Sequence, residues 1–241
     1  GIPNDLVYMV TCDGKDVWVA TGGGAGHLDT YTGTWEIFTE QNAPMHEPWT
    51  YSVSADNGVV YIAAWGGGII EYNSKAKRFR DYVDPDGEME LDLYPNDGPV
   101  HDITTAAHLS NGILWVSSYF GISRYDGTNW SGYFDHDSGL ASNFTNFIKA
   151  NGDVGWACTD NGISSFNGDT WVTYRKSETG SGGEVIITRG QGVRKIKTTT
   201  SISNSFIWGV DFKDDDVWVA TSYGLSHGKR IGNSTAEMPN L

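Results

Sequence analysis

Cysteine is almost absent: Cys12 and Cys158 are the two that the chain contains. They fall on different strand types of repeats that are not neighbours, so no disulfide framework organises this fold, and both read as small buried residues. Without a C-x-x-C-H there is no attachment site for a c-type haem. No apolar run is long enough to cross a membrane, and no signal-peptide hydrophobic segment stands at the start. The opening Gly1-Ile2-Pro3-Asn4-Asp5 is a turn, which reads as a mature or trimmed N-terminus. Basic residues are also few. Sixteen Lys and Arg stand against 30 Asp and Glu, for a net charge of −14. A chain so acidic lacks the cations that bind nucleic acid or anionic membranes. One basic cluster, Arg189, Arg194, Lys195 and Lys197, is local and reads as a solvated hairpin. Helical periodicity is hard to find anywhere. No His-Glu-x-x-His and no phosphate loop occurs, and the six histidines are scattered. A pair of acids for glycoside hydrolysis would have to converge in space, which a sequence does not display.

What the chain does have is one tetrapeptide written five times. An apolar or small residue precedes an aromatic, and two small or β-branched residues follow: Val17-Trp18-Val19-Ala20, Val60-Tyr61-Ile62-Ala63, Leu114-Trp115-Val116-Ser117, Gly155-Trp156-Ala157-Cys158 and Val217-Trp218-Val219-Ala220. The aromatics lie 43, 54, 41 and 62 positions apart. A period near forty with strand-like composition marks a radial β array, whose units bury their apolar faces only by stacking on neighbours.

Each copy carries more. A glycine follows, then a short strand, as in Gly68-Ile69-Ile70-Glu71-Tyr72-Asn73 and Gly121-Ile122-Ser123-Arg124-Tyr125-Asp126. Four copies continue with aromatics at i, i+3: Trp35 and Phe38, Phe79 and Tyr82, Trp130 and Tyr133, Trp171 and Tyr174. Upstream of the tetrapeptides lie further strands ending in polar turns such as Asp13-Gly14 and Asn57-Gly58, which supply the positive φ of tight hairpins. One repeat is therefore four short antiparallel strands, a propeller blade. The expected fold is all-β: a single β-propeller domain over 1–241 with about five four-stranded blades and insertions at about 83–99 and 181–200. After His227 no aromatic pair follows, so the last blade is expected to lack a regular outer strand. That would leave an open edge at Gly224 to Ile231 for a partner or a second copy.

The third and fourth blades carry the pattern most fully, with Trp115-Val116-Ser117-Ser118, Gly121 to Gly127, Trp130, Tyr133 and Gly139-Leu140-Ala141-Ser142-Asn143. This resembles the two-component regulator propeller repeat. The resemblance implies extracytoplasmic sensor modules of bacterial hybrid histidine kinases, or stand-alone secreted proteins, and an extracellular or periplasmic location. The matching residues are those that build a blade, so they speak for fold more than for function.

The two insertions are where specific function is expected. The first contains Asp84, Asp86, Glu88, Glu90 and Asp92, oxygen donors of the type Ca²⁺ takes, although their spacing is not that of an EF-hand. The expected reading is a solvated acidic loop, and no cofactor is expected. The second reads as a β-hairpin, Glu184–Thr188 and Val193–Thr198, added to the propeller and packed on its rim or on a partner. An alternative has it folding back over the open edge of the last blade. His27 and His227 share one column of the third strand and would approach each other if the first and last blades meet, which makes them candidate binding residues, since imidazole is a common metal ligand; a variable polar column facing solvent explains the same pattern. Trp18, Trp115, Trp156 and Trp218 are expected between blades. Trp49, Trp65 and Trp208 fall outside that column and are candidate contact residues, since exposed aromatics stack on sugars or anchor proteins. The expected function is a non-catalytic binding module that docks a protein or glycan. A propeller-type carbohydrate hydrolase or lyase is one alternative, and a structural subunit of a surface assembly is another.

Overall fold

The structure, a computed structural model, describes residues 1–84 and 97–229. Among them are 21 strands in five antiparallel sheets and no helix. The first sheet runs β1 (Val7–Asp13), β2 (Asp16–Thr21), β3 (Gly24–Asp29) and β4 (Thr34–Phe38). The second is β5 (Thr50–Asp56), β6 (Val59–Ala64), β7 (Gly68–Asn73) and β8 (Arg78–Tyr82). The third is β9 (Thr104–Ser110), β10 (Ile113–Ser118), β11 (Gly121–Tyr125) and β12 (Trp130–Tyr133). The fourth begins β13 (Thr145–Asn151), β14 (Val154–Thr159), β15 (Gly162–Asn167) and β16 (Thr170–Lys176). The fifth is β19 (Ile207–Lys213), β20 (Asp216–Thr221) and β21 (Gly224–Lys229).

Every recurring tetrapeptide lies on a second strand, paired on both sides, so the repeat seen in the sequence is the centre of each blade. All four expected aromatic fourth strands form. The hairpin also forms, as β17 (Gly183–Arg189) and β18 (Gly192–Thr198), but it pairs edge to edge with β16 and makes the fourth sheet six-stranded. It therefore extends blade four and does not cover the edge of blade five. Blade five shows three strands among the described residues, as its lack of an aromatic pair suggests, and 230–241 lie outside them.

The chain forms two compact units, Gly1–Gly132 and Tyr133–Leu241. In the first, Trp18, Ala20 and Phe38 of blade one pack on Val53, Val60, Ile62 and Tyr72 of blade two, and Tyr61, Ala63, Ile69 and Tyr82 pack on Leu114, Val116 and Trp130 of blade three. Threonines clasp successive blades. The Thr50 hydroxyl reaches the carbonyls of Thr21 and Gly24 at 3.0 and 2.8 Å, and Thr104 reaches those of Ala64 and Gly68 at 2.8 and 2.9 Å. In the second unit, Trp156, Cys158, Ile163 and Tyr174 of blade four receive Ile202, Ile207, Val210 and Val217 of blade five, and an ion pair joins Lys149 to Asp211 at 2.5 Å.

Two sequence expectations need correction. Trp18 and Trp156 are buried between blades and Trp115 is buried, but Trp218 is 45% exposed. Of the two cysteines, Cys158 is buried, with its thiol pushed well up by desolvation, whereas Cys12 is exposed at the end of β1.

Candidate binding surface

One end of the blades is built differently from the rest. Where each first strand begins, its pairing with the second strand slips by one residue, at Val7/Met9, Thr50/Ser52, Thr145/Phe147 and Ile207/Gly209, and opposite Ser117/Ser118 in the third blade. A bulge of this kind re-aims the extra side chain. The residues at the slip are Tyr8, Tyr51, Thr105, Asn146 and Trp208. Just ahead, the residue before each first strand accepts a backbone hydrogen bond from the turn after the second strand: Gly22 to Leu6, Trp65 to Trp49, Tyr119 to Ile103, Asp160 to Phe144 and Ser222 to Phe206, at 2.8–3.2 Å. These bonds pin the turns against the strand starts, so side chains from both meet at the same end.

In the first unit those side chains are aromatic and touch in series. Tyr8 stacks on Tyr51 with centroids 4.4 Å apart, Tyr51 meets Trp65 at 5.1 Å, and Trp65 meets Tyr119 edge-on at 4.7 Å. The row crosses blades one, two and three. Trp49 flanks it, 49% exposed, and Leu6 is also exposed. Burial, then the neighbouring Tyr8, raise the Tyr51 hydroxyl above the usual phenol value, so it stays protonated as a donor. Beneath Trp65 the turn needs glycine: at Gly68 φ is +64°, and a Cβ would stand 2.3 Å from the Tyr82 carbonyl. The turn is anchored by the Asp102 carbonyl, which accepts from Gly66 and Gly68 at 3.0 and 3.1 Å. The Asp102 carboxylate accepts from the Asp84 N–H at 2.8 Å, and burial raises its pKa above the ordinary carboxylate range.

The candidate contact residues divide. Trp49 and Trp65 come together in this row, with Trp49 exposed and Trp65 half-buried as a link. Trp208 lies in the second unit, 59% exposed on its bulge with Phe206 at 4.8 Å. The histidines belong to blade construction. His27 stacks on Trp18 at 4.2 Å and pairs with Asp16 at 2.7 Å, and His227 repeats this with Trp218 and Asp216 at 4.1 and 2.6 Å. Each is thus held by its own blade. Of the proposed ion ligands only Asp84 is described; Asp86, Glu88, Glu90 and Asp92 lie outside the described residues. Among the described residues no cluster of three His, Cys, Asp or Glu is placed to hold a metal.

Reading the sequence missed Tyr8, Tyr51 and Tyr119. The signal was an aromatic at the second position of two first strands, but nothing in the sequence announces the bulge that turns it outward. A polar cleft of about 460 Å³ in the same unit holds Glu71, which accepts from Tyr82 and Tyr61 at 2.9 and 3.3 Å, with Arg80 over the Tyr82 ring. Burial pushes both phenols far up, so these hydroxyls hold a carboxylate rather than exchange protons at neutral pH. Gly224-Leu225-Ser226-His227-Gly228 spells Gly-x-Ser-x-Gly but lies on strand β21, with Ser226 accepting from the Ser203 N–H at 2.8 Å, and lacks the strand-to-helix turn of a nucleophile elbow.

No protein-family model matches the chain, and no curated protein does. Solved structures do. The β-propeller domain of Cps50 (Swd1) from Myceliophteria thermophila superposes with a TM-score of 0.59 at 12% identity, covering 98% of this chain and 69% of that one. The chain has the β-propeller fold, with five blades. The propeller is also similar to the WD40 repeats of RRP9, with a TM-score of 0.55 at 7% identity over 94% of this chain and 77% of that one. A further match is the extracellular domain of a proposed hybrid two-component system from B. thetaiotaomicron. There the TM-score is 0.54 at 16% identity, covering 93% of this chain and 40% of that one. The propeller thus spans well under half the length of that domain.

Proposed function

We propose that this propeller is a non-catalytic, extracytoplasmic binding module of a bacterium that docks a protein through the aromatic row of blades one to three. The observation that carries the reading is the series Tyr8, Tyr51, Trp65 and Tyr119, in ring-to-ring contact across three blades and flanked by exposed Trp49. Tyr and Trp concentrate binding energy because they give large contact area with few rotatable bonds. The rings occupy each other's faces, which suits them to receiving an apolar protein side chain at their rim more than to laying a sugar flat across them. The net charge of −14 favours a partner with a basic surround. Resemblance of the repeat to the two-component regulator propeller and likeness to an extracellular domain support the location.

The test is affinity capture from an envelope fraction with the parent chain and with a Trp49→Ala/Tyr51→Ala variant, followed by titration of the purified captured protein. A single protein bound by the parent and weakened about 30-fold or more by the variant is expected. Equal binding by both overturns the reading, as does capture of glycan alone.

A further inference from the structure

The junction of blades one and two and the junction of blades two and three are built on the same positions with different side chains. In the first, Trp18 of β2, His27 of β3 and Glu36 of β4 form one cross-strand row. His27 stacks on the Trp18 indole at 4.2 Å, and Trp18 meets Tyr72 of blade two at 6.1 Å. A lysine closes the row. Lys77, on the turn between β7 and β8, donates from Nζ to Glu36 at 3.1 Å and stands over the Tyr72 ring, 5.6 Å from its centre. The chain thus holds one of its own ammonium groups between a carboxylate and the face of a tyrosine.

In the second junction the same row is Tyr61, Glu71 and Arg80, and Tyr125 stands where Tyr72 does. Tyr61 is the tetrapeptide aromatic that is not Trp, and a phenol takes less room than an indole. Glu71 replaces the stacked imidazole, its carboxylate accepting from the Tyr82 and Tyr61 hydroxyls. The facing turn is shorter: four positions lead from Asp126 to Trp130, against six from Asn73 to Phe79. It brings Gly127 to the junction and no lysine. The result is the polar cleft of about 460 Å³, with Asp56 and Glu71 among its lining. Arg80 is one cation against these two carboxylates, and its guanidinium lies over the Tyr82 ring at 4.6 Å. Every lining residue belongs to the unit Gly1–Gly132, so blades two and three alone form the cleft. It sits at the Asp56 end of β5, and the aromatic row crosses the Tyr51 end, so the two surfaces are separate.

We propose that this cleft binds an alkylammonium group, held by Glu71, Asp56 and the Tyr125 ring as Lys77 is held by Glu36 and Tyr72. An ammonium has three donors and no acceptor, which suits carboxylate and phenol oxygens. The tyrosine face adds cation–π attraction, and Val59 and Leu109 offer apolar surface to the carbon chain. The net charge of −14 draws cations toward the molecule. A free diamine and the lysine side chain of a protein share this chemistry.

Titration of the isotope-labelled chain with cadaverine, with Nα-acetyl-lysinamide and with uncharged pentanediol tests the proposal, read at the amide signals of Gly112 and Gly127 in the cleft lining. Both amines should shift these signals saturably, and the diol should not. Tighter binding of cadaverine would name a free diamine as the ligand, and tighter binding of the lysinamide a protein side chain. Glu71→Gln keeps an acceptor oxygen for the two phenols and removes the charge, and it should weaken amine binding about 10-fold or more. Asp56→Asn should weaken it in the same direction. Thermal melts check that both variants fold, and Asp56→Asn, at a strand end, carries the test if Glu71→Gln does not. No saturable shift with either amine overturns the proposal. So do equal shifts with the diol, or folded variants that bind the amines as the parent does.

Discussion

Trp115 and Trp218 occupy one column of the repeat and have different energetic weight. Trp115 is buried, so Trp115→Ala should cost about 3–5 kcal/mol, the transfer term plus the cavity left behind. Trp218 keeps nearly half its surface in water, and Trp218→Ala should cost roughly half as much, about 1–2 kcal/mol. Denaturant melts of the two variants measure the difference, and equal losses would mean the Trp218 face is covered in solution. Asp102 gives a residue-scale test of another kind. Burial raises its pKa, so the folded protein holds this proton more tightly than the unfolded chain does. Its protonated form therefore favours folding below the ordinary carboxylate pKa, and that contribution is lost as pH rises through the folded value. Asp102→Asn keeps the amide oxygen as acceptor for the Asp84 N–H and never ionises. The variant should match the parent in strong acid and melt at a higher temperature near neutral pH. A variant less stable at neutral pH would show that the charged carboxylate is needed.

At the scale of elements, the hairpin β17–β18 shows what a strand pattern conveys and what it leaves out. Its strands, its turn at Gly190 and its exposed cations were legible, because alternation and turn chemistry are local properties. Its docking on β16 was not, because any free edge offers the same donors and acceptors, and choosing among edges depends on chain path. Val185 and Ile187 turn inward to the blade-four cluster of Val172 and Tyr174, while Arg194 lies in solvent. Ile187→Ala should therefore cost about 1–3 kcal/mol, and Arg194→Ala less than about 0.5. Similar melting temperatures for the two would detach the hairpin from the core of blade four. The binding row divides the same way. Trp49 and Trp65 stood out by departing from the aromatic column, whereas Tyr8 and Tyr51 gained their place through a bulge, a one-residue slip that depends on both strands of a pair.

On the scale of the whole molecule, net charge sets how a partner approaches the aromatic row. Each copy carries −14, so copies repel one another at long range while a basic partner is drawn in. Screening shortens that repulsion: the Debye length falls from about 30 Å at 0.01 M salt to about 10 Å at 0.1 M. Burial of Tyr and Trp surface is not weakened by ordinary salt and is strengthened by sulfate. Docking of a basic protein on the aromatic row should weaken over the same range, since its long-range attraction is screened. Titration of the captured partner across a sodium chloride series measures that loss. An affinity unchanged across the series would place the binding energy in apolar burial by the row rather than in charge steering.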